Sequence, residues 1–371
     1  QGIYAVPVKG GAPWWVTKQG YRPHFGASSD RVYLIQPDPE ERLSLMGIDL
    51  DGSDARTYLT VENATELRLS PDERWVAFRE GFNAYIGPFA RTGKAAEISA
   101  RSKAIPLRRV SRDAGEYLHW SADSQRLHWS LGPELFTRAL KDAFLFVPGA
   151  PEKLPEPLEK GVLIGFSEKA DVPTGRLALV GGRIIPMKGD QVIEDGTVLI
   201  DGNRIAAVGP RDQVPVPPGV KVIDVKGHTL LPGLVDVHWH GGQGENDIVP
   251  QQNWQNLASL AFGVTTVHDP SNDTGTIFTA SELARAGRIT APRIYSTGTI
   301  LYGAKSAFKA QIDSLDDART HLRRMKAVGA FSVKSYNQPR REQRQQVLAA
   351  ARELNMMVVP EGGALFQHNM T

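Results

Sequence analysis

The stretch VDVHWHGG, residues 235–242, joins an apolar strand pattern to two histidines and a glycine pair. On a β-strand successive side chains point to opposite faces, so His238 and His240 are expected on one face and Trp239 on the other. Two imidazoles on one face can share one metal ion. A chance pair is the alternative interpretation, because the chain contains nine histidines.

The composition is that of a globular chain with two or three domains. The chain has 371 residues, of which 41% are hydrophobic, a net charge of +2 and no cysteine. The lack of cysteine excludes disulfides, thiolate metal sites and cysteine nucleophiles. No apolar window has the length of a membrane span, and the first residues, QGIYAVPVKGG, do not resemble a signal peptide. Because no initiator Met is present, we expect a processed protein or a fragment that begins inside a structure.

The basic residues are mixed with acidic ones except at Arg340, Arg341 and Arg344. No aromatic residues interleave this short cluster, which favours a solvated helix face over a nucleic-acid site. We therefore expect no nucleic-acid partner.

Three segments of the first half share one pattern of strand, Ser/Asp turn and second strand: RPHFGASSDRVYLI at 22–35, TELRLSPDERWVAFRE at 65–80 and EYLHWSADSQRLHWSL at 116–131. Their turn aspartates, Asp30, Asp72 and Asp123, are 42 and 51 residues apart. This spacing is near that of four-stranded propeller blades and predicts about three of them. Unrelated β-hairpins of a sandwich are the alternative.

Composition and turn residues divide the chain after the repeats into a linker and a small β-module. Residues 146–174 are rich in Pro, Glu and Lys and indicate a linker, with a boundary near 170. Short β-branched strands with DG, GN and KG turns follow and predict a small β-module. We therefore predict domains at 1–170, 171–232 and 233–371.

The last domain alternates strands with helices. Five strands, VDVHWH, VTTVHDP, RIYSTGT, FSVKSY and MMVVPEGG, are separated by four helical patterns. This alternation favours parallel packing in a TIM-type barrel, with a doubly wound sheet as the alternative. Polar residues follow the strands: His238, His240, His268, Asp269, Thr297, Thr299, Lys334 and Glu361. In a barrel these strand ends converge on one mouth.

These motifs carry two family resemblances. LLPGLVDVHWH after the β-module, followed by GVTTVHDP and FSVKSY, resembles the amidohydrolase superfamily over about 175–371. The repeats over about 1–145 are similar to TolB-like β-propeller repeats. The resemblance implies a partial propeller, a small β-sandwich module and the first part of a TIM-type (β/α) barrel. It also implies metal-dependent hydrolysis of an amide or other C–N bond in a peptide-like or cyclic substrate, with metal-activated water as nucleophile.

The resemblance assigns metal-ligand roles to His238 and His240. It makes Lys334, often carboxylated in the family, a bridge between two metals, and it implies one or two zinc ions, with manganese as an alternative. Lys334 and His268 are the catalytic candidates. A Schiff-base lysine and a simple ion-pair partner are the other interpretations of Lys334.

The fifth strand departs from the family pattern. Glu361 stands where the family usually has a histidine, and a carboxylate oxygen can ligate zinc or manganese. His368 is the alternative ligand. His268 and Asp269 are expected to bind substrate, to support the metal ligands, or to form a structural pair at the end of their strand.

The end of the chain suggests an incomplete enzyme. Family barrels have strands 6–8, which carry a further histidine and the aspartate that acts as general base. We therefore expect the 371 residues alone to be inactive and to need a missing barrel segment or a second chain; a homo-oligomer is a further option. The TolB-like resemblance suggests a periplasmic or secreted location. The competing function is a propeller-based binding protein with a non-catalytic barrel.

Overall fold

The computed structural model describes residues 2–38, 40, 42–245, 247–304 and 309–361. The chain forms two compact units, one of residues 1–166 with 297–371 and the other of residues 167–296. The domain boundaries drawn from the sequence remain predictions. Within the described ranges, no helix combines the length and the apolar character that crossing a membrane requires.

The first unit begins with fifteen strands: β1 (Ile3–Ala5), β2 (Trp14–Thr17), β3 (Tyr21–Phe25), β4 (Arg31–Pro37), β5 (Leu43–Asp49), β6 (Arg56–Val61), β7 (Ala64–Leu69), β8 (Trp75–Glu80), β9 (Asn83–Pro88), β10 (Ala96–Ile98), β11 (Arg108–Arg109), β12 (Glu116–Trp120), β13 (Arg126–Leu131), β14 (Glu134–Ala139) and β15 (Val162–Leu163). A short 3-10 helix, Leu140–Asp142, follows β14.

These strands form a two-stranded sheet, β1–β2, and three larger sheets in chain order. The first has the order β10-β6-β5-β4-β3, the second β11-β9-β8-β7 and the third β12-β13-β14-β15. The three hairpins predicted at 22–35, 65–80 and 116–131 are confirmed as β3–β4, β7–β8 and β12–β13. The propeller built from them remains a prediction.

The Ser/Asp turns of the three hairpins share one hydrogen bond. In each turn the serine hydroxyl donates to Oδ1 of the aspartate two residues later, at Ser28 and Asp30, Ser70 and Asp72, and Ser121 and Asp123. Such local bonds stabilise a turn against regular strand. The repeat seen in the sequence is therefore a repeat of turn geometry.

Apolar side chains join the sheets in pairs. One buried cluster combines residues of the first and second sheets, including Tyr33, Leu45 and Phe78, and another combines the second and third, including Ile86 and Trp129. Alternation along β8 places Val76 and Phe78 in the first cluster and Trp75 and Ala77 in the second, so the second sheet is buried on both faces.

The second unit contains the β-module and the first parallel strands. Its elements are β16 (Arg176–Ile184), β17 (Ile193–Asp201), β18 (Arg204–Pro210), β19 (Lys221–Asp224), β20 (Thr229–Leu230), β21 (Leu234–Asp236), α1 (Trp254–Ala261), β22 (Val264–Asp269), α2 (Thr274–Arg285) and β23 (Arg293–Ser296). The module is the sheet β18-β17-β16-β19, with β20 also paired to β16, and β21, β22 and β23 form a parallel sheet in that order.

The remaining elements belong to the first unit: β24 (Leu301–Tyr302), β25 (Ala310–Gln311), α3 (Leu315–Ala327), β26 (Ser332–Ser335), α4 (Arg341–Leu354) and β27 (Met357–Pro360). They form the parallel sheet β25-β24-β26-β27. The five strands and four helices predicted for the last domain are thus present, and each strand pairs in parallel with a neighbour. None of the sheets described closes on itself. The TIM-type barrel therefore remains a prediction, with the doubly wound sheet as its alternative.

Helix ends follow the predicted signals. Ser314 caps α3 by accepting the backbone N–H of Asp317 at 3.1 Å. Gly329, at φ +94°, takes up the left-handed backbone just after that helix, where glycine has no steric penalty. These local signals set where the helices between the parallel strands begin and end.

Candidate metal centre

The histidine pair follows the first parallel strand of the second unit. β21 ends at Asp236, and His238 lies in the turn after it, so the expectation of a strand running through His240 was wrong. Asp236 is the physical reason, because its Oδ1 accepts the backbone N–H of His238 at 3.0 Å. This bond takes the donor that a continued strand would use in its ladder.

The two imidazoles nevertheless lie together. Their ring centroids are 5.1 Å apart with an interplanar angle of 67°, and both residues are exposed. Trp239 instead packs against the apolar cluster of Val267 and Ile294, and its backbone N–H donates to the carbonyl of His268 at 3.1 Å. The turn therefore separates the histidines from the tryptophan, as strand alternation would have done.

A buried carboxylate lies beside the second histidine. Asp269, the last residue of β22, is 0% exposed, and its Oδ1 is 3.4 Å from Nδ1 of His240. The same carboxylate accepts the backbone N–H of Ser271 at 2.9 Å and the side-chain amide of Asn272 at 2.7 Å. A carboxylate held in this way orients the imidazole through Nδ1 and leaves Nε2 for a ligand.

Two polar contacts around the pair were not foreseen from the sequence. Asn272 donates to the carbonyl of Gly241 at 2.8 Å and so joins the Asp269 carboxylate to the loop after the histidines. Gln243 of that loop and Asn256 of α1 exchange two amide hydrogen bonds of 3.1 Å, and both residues are 1% exposed. The polar run DPSND after the strand was the available signal for Asn272, but it does not reveal which groups an amide reaches.

Lys334 and Glu361 meet in the first unit. Lys334, on β26, is 1% exposed, and Glu361 directly follows the neighbouring parallel strand β27. Nζ of Lys334 forms an ion pair with Oε2 of Glu361, and the backbone N–H of Glu361 donates to the carbonyl of Ser335 at 2.9 Å. The structure thus brings these two predicted site residues together, in the ion pair that was one interpretation of Lys334.

Arg344 corrects the interpretation of the basic cluster. Arg340 and Arg341 are exposed as expected, but Arg344 is buried and donates to the carbonyls of Tyr336 at 3.2 Å and Glu361 at 2.8 Å. Burial lowers the pKa of its guanidinium, and the charge of Glu361 opposes that effect. Arg344 lies on the inner side of α4, where it binds strand-end carbonyls instead of water.

The other predicted residues are more scattered. His268 is half-buried on β22 and pairs with Tyr295 of β23. Thr297 and Thr299 are buried in the first unit, and His368 lies outside the described residues. No group of three or more potential side-chain ligands is close enough to hold a metal ion within the described part of the chain. Among the described residues, the candidate centre therefore offers two imidazole nitrogen ligands, one from His238 and one from His240.

Comparison with known proteins gives partial matches. No family model matches the chain. It is 42% identical over 66 residues to a 5-methylthioadenosine/S-adenosylhomocysteine deaminase of Symbiobacterium thermophilum. The aligned region covers 18% of this chain and 15% of the relative. The chain is also 32% identical over 113 residues to adenine deaminase 2 of a Bradyrhizobium species. This aligned region covers 29% of this chain and 18% of the relative. The chain therefore spans less than a fifth of the length of either relative.

Among solved structures, a Xaa-Pro dipeptidase with bound methionine in the active site aligns with a TM-score of 0.42 and 20% identity, over 50% of this chain and 56% of that one. The named relatives of the chain are amidohydrolase-type enzymes that act on C–N bonds.

Proposed function

We propose that this chain is part of a metal-dependent hydrolase that cleaves an amide or other C–N bond, with peptide-like or cyclic amides as the substrate class. The observation that carries the proposal is the paired imidazoles of His238 and His240, with the buried Asp269 beside the second ring. The partial identity to deaminases supports the same class of bond.

The residues described fit a divalent ion. Zinc accepts imidazole nitrogen, and the contact of Asp269 with Nδ1 of His240 leaves Nε2 of that ring available. When bound, the ion would lower the pKa of its water to near 7 and polarise the scissile carbonyl. In this proposal His238 and His240 hold zinc, or alternatively manganese, and Asp269 orients His240.

Lys334 and Glu361 are proposed as further ligand residues on the family resemblance. In the structure the Lys334 ammonium neutralises Glu361. Carboxylation of Lys334 would replace that positive charge with a negative one, and an anion at this buried position beside the half-buried Glu361 is unfavourable without a cation. We therefore expect Lys334 to be carboxylated beside Glu361 only when a metal ion is bound there.

The test is metal analysis of protein purified without chelator. We expect bound zinc or manganese, and loss of most of it in His238→Gln and in His240→Gln. His228→Gln is the matched control, because His228 is an exposed histidine of the same unit whose Nδ1 lies 3.2 Å from a nearby carbonyl, that of Lys226.

Hydrolysis is then measured on a panel of dipeptides, N-acyl amino acids and cyclic amides. We expect cleavage that needs the metal and both histidines when the chain is assayed as part of that hydrolase, since the 371 residues alone are expected to be inactive. Metal-free protein, or full metal content in both histidine variants, would contradict the proposal.

A binding protein is the second candidate. It rests on the three consecutive sheets of the first unit, which are antiparallel except where β10 pairs with β6 in parallel, and which we propose to be TolB-like propeller blades. Metal retained without hydrolysis of any compound in the panel would favour this function.

A further inference from the structure

Two histidines face each other across neighbouring strands of the third sheet. His119 on β12 and His128 on β13 are directly paired, with ring centroids 4.9 Å apart and planes inclined by 20°. Leu118 and Leu127, the sequence neighbours of these two residues, are buried in the core on the opposite face of the sheet. The strand pairing therefore sets the two imidazoles side by side on the outer face of the sheet.

Hydrogen bonding engages the same nitrogen in both rings. Nδ1 of His119 is 3.3 Å from the carbonyl of Tyr117, and Nδ1 of His128 is 2.8 Å from the hydroxyl of Thr137. Because a carbonyl only accepts, His119 carries a proton on Nδ1, and its neutral form has the lone pair on Nε2. An Nδ1–H bound to a carbonyl is typical of histidines that ligate metal through Nε2.

Charge favours the neutral form of the second ring. Burial lowers the pKa of His128, and the nearby His119 and Arg126 lower it further, while Asp123 opposes them. A neutral imidazole is the form that binds metal. His119 is exposed and its ring centroid is 4.9 Å from that of His128, so an ion from solvent can reach both rings.

The first sheet shows which feature distinguishes this pair. There a bulge like the one before His119 precedes His24, whose Nδ1 is 3.4 Å from the carbonyl of Arg22. The residue facing His24 is Tyr33, however, and its phenol is not a comparable ligand at neutral pH. The bulge is thus common to the first and third hairpins. The second imidazole, His128, is present in the third hairpin but not in the other two.

We propose that His119 and His128 form a second metal site, which binds a divalent transition-metal ion through both Nε2 atoms and takes Cu²⁺ more tightly than Zn²⁺. The preference follows the general order of affinity for nitrogen ligands. Water completes the coordination, and the bound ion cross-links β12 to β13. This proposal does not depend on the hydrolase function, because it uses neither His238 nor His240.

Calorimetric titration of the full chain with CuCl₂ and with ZnCl₂ tests the proposal. The background variant carries His238→Gln and His240→Gln, so that failure of the first centre does not affect the result. We expect one equivalent of Cu²⁺ to bind to this background, and each of His119→Gln and His128→Gln to weaken binding at least tenfold. The double variant should lose little more than either single one, because chelation requires both rings.

The control is again His228→Gln, which should leave binding unchanged. Electron paramagnetic resonance of the Cu²⁺ complex should show coupling to two imidazole nitrogens, reduced to one or none in the single variants. Absence of binding in the background, or equal losses in His228→Gln and His119→Gln, would overturn the proposal. If His128→Gln fails to fold, the exposed His119 still provides the test.

Discussion

At the scale of single residues, Asp269 controls how His240 is presented. Its carboxylate is fully buried and accepts two hydrogen bonds, from Ser271 and Asn272, in addition to its contact with the imidazole. These bonds fix the carboxylate, whereas His240 itself is exposed. The position of the ring therefore depends on a carboxylate that is not itself one of the proposed metal ligands of the second unit.

Asp269→Asn should lower metal affinity about 10- to 100-fold, the usual effect of removing a carboxylate that orients a metal-bound histidine. The variant keeps the shape of the side chain but loses the charge beside Nδ1. Equilibrium titration of the metal-stripped protein with zinc measures the change. Asn272→Ala is the control, because it removes one bond to the carboxylate and keeps the charge, so its effect should be smaller. Equal affinity of the Asp269→Asn and parent proteins would contradict the assigned role.

At the scale of elements, α3 places a histidine and an arginine against the second sheet. His321 packs edge-on to Phe82 with centroids 5.6 Å apart, and the Arg324 guanidinium lies 3.8 Å from the centre of the same ring. Arg323 next to them pairs with Asp113 at 2.6 Å. Burial, together with the charge of Arg324, lowers the pKa of His321 to about 3. The helix therefore packs with a neutral imidazole.

This burial predicts a loss of stability in acid. As the pH falls below about 6.5, unfolded His321 binds a proton that the folded chain does not accept until about pH 3, so the free energy of unfolding decreases through that window. The contribution of His321 to this loss is about 2 kcal/mol at pH 5. Denaturant unfolding at pH 7.5 and pH 5 should show a smaller difference in His321→Met than in the parent.

His228→Gln is the comparison for this measurement, since it removes an exposed histidine and should keep the parent's difference between the two pH values. An unchanged difference in His321→Met would mean that other groups cause the acid sensitivity.

At the scale of the whole molecule, the proposed centre links metal binding to stability. An ion that binds only the folded chain stabilises it by about 2.7 kcal/mol when free metal is one hundred times the dissociation constant. Treatment with EDTA should therefore lower the unfolding temperature, and added zinc should restore it.

The variant with His238→Gln and His240→Gln should lose this response to zinc, whereas His119→Gln should keep most of it. Scanning calorimetry with and without EDTA measures the shift. The same response in the parent and in the His238→Gln, His240→Gln variant would place the stabilising ion elsewhere.

The sequence by itself determined the local structure, through side-chain periodicity and through turn and cap residues. The three hairpins, the five strands and the four helices followed from side-chain period and from turn and cap residues such as Asp72 and Ser314. The proximity of His238 and His240 also followed, because two residues one position apart remain near each other on a strand or on a turn.

Contacts between residues far apart in the chain were decided only by the tertiary structure. Strand pairing and helix packing determine that Asp269 lies beside His240, that Lys334 pairs with Glu361 and that Arg344 is buried. The pairing of His119 with His128 likewise depends on the register of two strands. Period and turn chemistry act over a few residues, whereas register and packing are set by the apolar faces of whole elements, and this is the physical reason for the division.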